Sequence, residues 1–143
     1  MREESGFTLL ELLVTISLAA VMTGFAVLNL KDLSNPALNA ASDISGFLKL
    51  ARSKALSTTS AYTISASSTD TLIATVGTTC SAAQTPDPSM TLFLADASLT
   101  DITWTICFSS RGFPDANVSI PVVDVYAGAN TVEILLGGSI RIL

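Results

Sequence analysis

Residues 7–30, FTLLELLVTISLAAVMTGFAVLNL, carry a single ionisable side chain, Glu11, in an otherwise apolar run. A helix rises ~1.5 Å per residue, so these residues reach roughly 36 Å. That exceeds a ~30 Å hydrocarbon core and allows a tilted span. We therefore expect a hydrophobic transmembrane and assembly helix over residues 7–34. Gly24 is its only interior glycine, at a cost of about 1 kcal/mol relative to Ala. It is the candidate point of helix flexibility, since membrane helices tolerate local unwinding where neighbours re-satisfy the backbone. An acid at the depth of Glu11 costs on the order of 2–3 kcal/mol and calls for a partner.

The short stretch before the run, MREESG, inverts the order of a secretory signal. There a small-residue cleavage site follows the apolar segment; here Gly6 precedes it. Cutting after Gly6 would leave the helix on the mature chain and create an amine on Phe7, one helical turn from Glu11. That amine, in the same chain or a neighbour, is the partner the carboxylate needs. A charge pair between subunits would also fix the axial register of packed helices.

The rest of the chain narrows the function classes. It has 143 residues, net charge −5 and no histidine. The commonest general base and metal ligand is therefore missing, and no nucleotide-binding, hydrolase or metalloprotease motif occurs. We expect neither an enzyme nor a cofactor or metal site. Seven basic residues in an acidic chain disfavour nucleic-acid binding.

GFTLLELL closely resembles the class III signal of type IV pilins and pseudopilins, in which glycine, phenylalanine, threonine and glutamate precede an apolar run. The resemblance implies that residues 1–6 are a leader, cleaved after Gly6 by a prepilin peptidase. It implies N-methylation of Phe7 and subunit docking through Glu11. The partners implied are other pilin subunits, in a homo- or hetero-polymer, and an inner-membrane assembly platform. The location implied is the bacterial inner membrane, then a periplasmic or surface filament. Two features depart from the pattern. Arg2 is accompanied by Glu3 and Glu4, so the leader lacks a basic excess, and Leu28 stands near where many major pilins have proline.

Residues 35–143 read as a globular head. Leu38, Ala41, Ile44, Leu48, Ala51 and Ala55 recur at helical spacing, and Asn35-Pro36 supplies an N-cap and a first-turn proline. We expect one long bent helix from about Phe7 to Leu56, its amphipathic half at about 36–57. Lys49, Arg52 and Lys54 favour the helix C-terminus and solvent; a small anion or DNA contact is the sharper alternative. From about residue 60 short alternating runs and turn residues predict an antiparallel sheet of five to seven strands. The turns include Ser67–Asp70 and a two-residue hairpin at Gly137-Gly138. The fold class is thus α+β and pilin-like, a long N-terminal helix packed on an antiparallel sheet. Pro121 implies an edge or a bulge. Trp104, Phe108, Phe93 and Tyr126 are expected beneath the helix. Asn117-Val118-Ser119 has the form of a glycosylation sequon.

Export to an oxidising compartment would let Cys80 and Cys107 pair, tying the 78–90 loop to a central strand. LARSKALSTTSAYTIS, CFSSRGFPD and GGSIRIL are similar to H-type pseudopilins and FimT-like minor pilins. Some FimT-like proteins bind DNA through a basic C-terminal motif, but this chain ends IRIL with Arg141 alone, so that property is not carried over. The function expected is a structural subunit of a type IV pilus or related filament. The alternatives are a type II secretion-like minor pseudopilin and a tip subunit for DNA uptake or adhesion.

Overall fold

The computed structural model describes the backbone of residues 8–30 and 35–143, and the side chains of residues 8–24 and 35–143. The chain divides into two units, Met1–Ser34 and Asn35–Leu143. The first contains helix α1, Leu9–Leu30. The second holds α2 (Pro36–Thr58) and eight strands: β1 (Ala61–Ala66), β2 (Thr71–Gly77), β3 (Thr85–Phe93), β4 (Ala97–Leu99), β5 (Thr105–Phe108), β6 (Val118–Asp124), β7 (Ala129–Ile134) and β8 (Ile140–Ile142). The expected junction between the two helices, at 31–34, lies outside the described residues.

Local chemistry sets the ends of α2. The Asn35 side chain accepts from the Leu38 N–H at 2.9 Å, and Pro36 occupies the first turn. Its missing N–H costs nothing there, because that group has no partner within a helix. At the other end Thr59 adopts the left-handed conformation, φ 52, and its N–H returns to the Ala55 carbonyl. The buried face is Ala37, Ala40, Ala41, Ile44, Ser45, Phe47, Leu48, Ala51 and Ala55. Leu38, expected in this stripe, is instead exposed, and Phe47 takes part in the core. Leu38 belongs to the first turn, where the buried side is carried by Ala37, Ala40 and Ala41.

The expected single sheet is two four-stranded antiparallel sheets, ordered β3-β2-β1-β5 and β4-β6-β7-β8. Helix α2 packs on strands of both. It closes a core that includes Ile64, Leu72, Met90, Ile106 and Phe108 from the first sheet and Ile120, Val122, Val132 and Ile134 from the second. Ile44 and Leu48 are fully buried between them, each stabilising by about 1.5–3 kcal/mol. Leu48→Ala is expected to cost roughly 2–5 kcal/mol.

Trp104 and Phe108 are buried as expected; Phe93 and Tyr126 are not, at 72% and 71% exposed. In Met90-Thr91-Leu92-Phe93 the inward side of β3 belongs to Met90 and Leu92, so strand alternation turns Phe93 outward with Thr91. Tyr126 stands in the β6–β7 turn.

Pro121 lies in an interior strand, yet its missing N–H does no damage. Its partner Thr131 exchanges hydrogen bonds with Leu143 on its far side, so the Pro121 nitrogen faces away from β7. There β4 has already ended, since it pairs only with Val122–Asp124. The Gly137-Gly138 turn is longer than a two-residue hairpin. Ile134 pairs with Ile140, the Leu135 N–H donates to the Ser139 carbonyl at 3.0 Å, and Gly138 takes φ 79. That is the loop type in which a left-handed glycine follows a tight turn.

Cys80, in the β2–β3 loop, forms a disulfide with Cys107. Cys107 lies on β5, an outer strand rather than a central one. The free edge of β5 is closed by Asp115, whose carboxylate accepts from the Cys107 N–H at 2.9 Å while its own N–H donates to the Cys107 carbonyl at 3.0 Å. Filling the edge in this way denies pairing to a foreign strand.

Candidate functional site: the start of the N-terminal helix

Gly6 and Phe7 lie outside the described residues. Thr8 and Glu11, next along the chain, form a reciprocal cap. The Thr8 carbonyl accepts the first helical bond, from Leu12 N at 3.2 Å. The Thr8 hydroxyl accepts from the Glu11 N–H at 3.2 Å. Glu11 Oε2 in turn accepts from the Thr8 N–H at 3.2 Å and the Thr8 hydroxyl at 3.3 Å. Threonine at the cap and glutamate three residues on satisfy two N–H groups that a helix start leaves open, and the carboxylate lies at the positive end of the helix dipole. Docking against an amine leaves this capping role of Glu11 unaccounted for. The Thr-x-x-Glu spacing is the sequence signal for it.

The helix beyond the cap keeps its polar groups to itself. Thr15 donates to the Leu12 carbonyl at 2.9 Å and Ser17 to the Leu13 carbonyl at 2.7 Å. The Thr23 hydroxyl reaches the carbonyls of Ala19 and Ala20. Hydroxyls satisfied within their own helix need no water, as a lipid environment requires. The helix runs without interruption through Gly24, where an added Cβ would meet nothing within 4 Å.

The large apolar side chains from Leu9 to Met22 are between 55% and 79% exposed. Leu10, Leu13, Val14, Leu18 and Val21, with Ser17, make one continuous face. An apolar surface of this extent marks contact with lipid or with other protein. Among the described residues no helix is long and apolar enough to cross a membrane. The described side chains of α1 end at Gly24, sixteen residues from Leu9, or about 24 Å of helix. The backbone continues helical to Leu30, 22 residues in all.

The basic cluster on α2 is divided among internal contacts. Lys54 Nζ lies 3.0 Å from Asp87 Oδ2 and 2.9 Å from the Ser89 hydroxyl, and 5.9 Å above the Tyr62 ring centre. Hydrogen bonds from Ser89 and then from Lys54 lower the Asp87 carboxyl from 3.8 to about 2. Arg52 donates to the Gly138 carbonyl at 2.6 Å. Only Lys49 of the three is left to solvent, so neither the helix-terminus reading nor a gathered anion site describes the cluster. Among the described residues no group of three or more His, Cys, Asp or Glu is placed to hold a metal ion.

Asn117, the sequon residue, is exposed, and its side-chain oxygen accepts from the Leu136 N–H at 2.7 Å. Arg141, the one basic residue near the C-terminus, pairs with Glu133 at 2.7 Å.

Residues 1–27 match the family model described as the prokaryotic N-terminal methylation motif. No curated protein sequence matches the chain. Among solved structures, the minor pseudopilin EpsH from the type 2 secretion system of Vibrio cholerae is similar, with TM-score 0.58 and 14% identity over 76% of this chain and 97% of that one. The type IV minor pilin FimU of Pseudomonas aeruginosa strain PAO1 is similar with TM-score 0.58 and 19% identity, over 75% of this chain and 87% of that one. A second crystal form of FimU gives TM-score 0.57 and 18% identity, over 74% and 91%. At these identities the likeness is one of fold. The chain thus combines the methylation motif with the α+β fold of minor pilins and pseudopilins, and its resemblance to the type IV pilin and pseudopilin family holds in both.

Proposed function

We propose that this chain is a structural subunit of a type IV pilus or related filament. In this reading residues 1–6 are removed after Gly6 by a prepilin peptidase, and Phe7 is N-methylated. The hydrophobic segment, residues 7–34, holds the subunit in the inner membrane until an assembly platform extracts it. The head, residues 35–143, is then carried into the periplasm or to the cell surface. The observation that carries this is a single carboxylate at the capped start of an apolar helix, within the methylation motif. Glu11 holds its own helix start and offers its remaining lone pairs to the Phe7 amine of a neighbouring subunit.

The test is mass spectrometry of the surface fraction sheared from cells. A peptide beginning at methylated Phe7 is expected there. An intact Met1 terminus confined to the membrane fraction would overturn the reading.

A pseudopilin of a secretion system is the second reading, favoured by the fold likeness to EpsH. The same processed peptide in the periplasmic fraction, with none in sheared filaments, would select it. A DNA-uptake or adhesion role at a filament tip is less favoured. The net charge is −5, and Arg52, Lys54 and Arg141 are engaged within the head. A gel shift with duplex DNA tests the uptake role directly.

A further inference from the structure

Asn117 immediately precedes β6, and its side chain is only half used. The oxygen accepts from the Leu136 N–H in the β7–β8 turn at 2.7 Å. That bond sets the orientation of the amide, since only the oxygen can face a donor. The nitrogen is thereby turned away from Leu136, and among the described residues it donates to no protein group. Holding the Leu136 N–H needs an acceptor and nothing more, so a carboxylate would do it with a stronger bond. The fold therefore accounts for the oxygen of Asn117 and leaves its nitrogen without a task.

A hydroxyl stands on the same side. Side chains two residues apart in a strand share a face, and Asn117 and Ser119 are both exposed, whereas Ile120 and Val122 are fully buried. Across the sheet Ser119 pairs with Glu133, and Glu133 with Arg141, so the outward face beside Asn117 carries a polar row. The opposite face holds the core residues Ile120, Val132 and Ile134. A large hydrophilic group on the Asn117 nitrogen thus meets polar surface and disturbs no packing. Of the five asparagines in the chain, Asn117 alone is followed at the second position by serine or threonine.

We propose that Asn117 is a glycosylation site, its Nδ2 receiving an oligosaccharide from a polyprenyl-diphosphate carrier as the chain is exported. An asparagine with a hydroxyl two residues on is the acceptor that such transfer uses. The bond from Nδ2 to the anomeric carbon of the sugar forms as the bond from that carbon to the carrier's diphosphate oxygen breaks. The carrier diphosphate leaves with the electron pair, and Nδ2 gives up one of its two protons to a base of the transferring enzyme. The product keeps the amide carbonyl, so the hydrogen bond from Leu136 survives and the bulky, solubilising glycan stands on the outward face. This rests on the reading above only in that the head is exported.

The test is peptide mass spectrometry of the full chain recovered from the envelope of the cells that make it, with Ser119→Ala and Ser119→Thr as variants. Ser119→Ala removes the hydroxyl and leaves the bond between Asn117 and Leu136 in place. The expected result is an Asn117 peptide heavier by a run of sugar residues in the unaltered and Ser119→Thr chains, and complete loss of that mass in Ser119→Ala. A bare Asn117 peptide in the unaltered chain would overturn the proposal and leave Asn117 as the staple of the last hairpin. A glycan that persists in Ser119→Ala would overturn it too, because the hydroxyl would then play no part. The N-terminal peptide of the same digest keeps the filament reading separate. Methylated Phe7 with a bare Asn117 removes the glycan alone, and an intact Met1 with a modified Asn117 removes the filament reading alone.

Discussion

Thr8 and Glu11 hold each other at the start of α1, the Thr8 N–H 3.2 Å from Glu11 Oε2 and the Glu11 N–H 3.2 Å from the Thr8 hydroxyl. That geometry gives the carboxylate one task, capping its own helix; the proposed filament reading adds a second, meeting a neighbour's amine. Substitutions separate them. Glutamine serves the cap almost as well as glutamate but has no charge, so Glu11→Gln is expected to keep the helix start and lose docking. A charge-assisted hydrogen bond contributes about 1.5–3 kcal/mol, so incorporation is expected to fall roughly ten- to a hundredfold. Thr8→Ala removes the cap at a cost of about 0.5–2 kcal/mol and leaves the carboxylate in place. Both are read by comparing subunit abundance in membranes and in sheared filaments. Glu11→Gln assembling as well as the unaltered chain would refute docking by charge.

The ion pair between Lys54 and Asp87 makes the head sensitive to acid. Its side chains are 32% and 16% exposed, so the pair is worth on the order of 0.2–1 kcal/mol. The Asp87 carboxyl is lowered from 3.8 to about 2 by Ser89 and Lys54. A depressed folded-state value means the stabilisation is complete above the unfolded value of 3.8. It fades as pH falls through that value and is gone below about 2. Asp87→Asn is expected to lower thermal stability near neutral pH and to flatten the loss between about pH 4 and pH 2. Thermal melts at several pH values check this. An Asp87→Asn chain with the same acid limb as the unaltered one would show that another carboxylate governs it.

The disulfide offers a larger effect. It joins residues 27 apart, and closing a loop of that length stabilises by about 3–4 kcal/mol in the chain-entropy model. Replacing both Cys80 and Cys107 with serine is expected to lower the melting temperature by ten degrees or more, on the order of 4–8 °C per kcal/mol. Strand β5 is the place to look, because Cys107 also exchanges hydrogen bonds with Asp115 at its edge. Hydrogen exchange at Cys107 and Phe108 in the reduced chain would show whether that edge frays first. Melting unchanged by reductant would mean the pair adds nothing to stability.

Much of this fold could be read from local pattern. The Asn35-Pro36 start of α2, the turn at Ser67–Asp70 and the alternating strands all follow from residue type and spacing. The division into two sheets could not be read, because it depends on pairs distant in sequence, such as Tyr62 with Phe108 and Ala97 with Asp124. Alternation says which face a strand buries and nothing about which strand lies beside it. Phe93 was within reach of the same rule, since Met90 and Leu92 claim the inner face. At the candidate site the apolar run and Glu11 are plain in the sequence, and the spacing of Thr8 and Glu11 encodes the cap as well. The uses of Arg52 and Lys54 depend on Gly138 and Asp87, which only the folded chain brings near.

Gly138 joins the last hairpin to α2 at a position that disfavours any side chain. It takes φ 79, a conformation that costs other residues about 1–2 kcal/mol. A Cβ built there would also lie 2.8 Å from the Arg52 guanidinium carbon, whose Nη1 donates to the Gly138 carbonyl at 2.6 Å. Gly138→Ala therefore meets two penalties, backbone strain and displacement of Arg52, and is expected to destabilise the head by roughly 2 kcal/mol. Arg52→Met removes the hydrogen bond and leaves room for the methyl group. In the double variant the strain remains and the clash is relieved, so the two changes together are expected to cost less than their sum. Chemical denaturation of the four chains, unaltered, single and double, measures that coupling. Strict additivity would mean that Arg52 swings aside freely and that φ alone enforces glycine at this position.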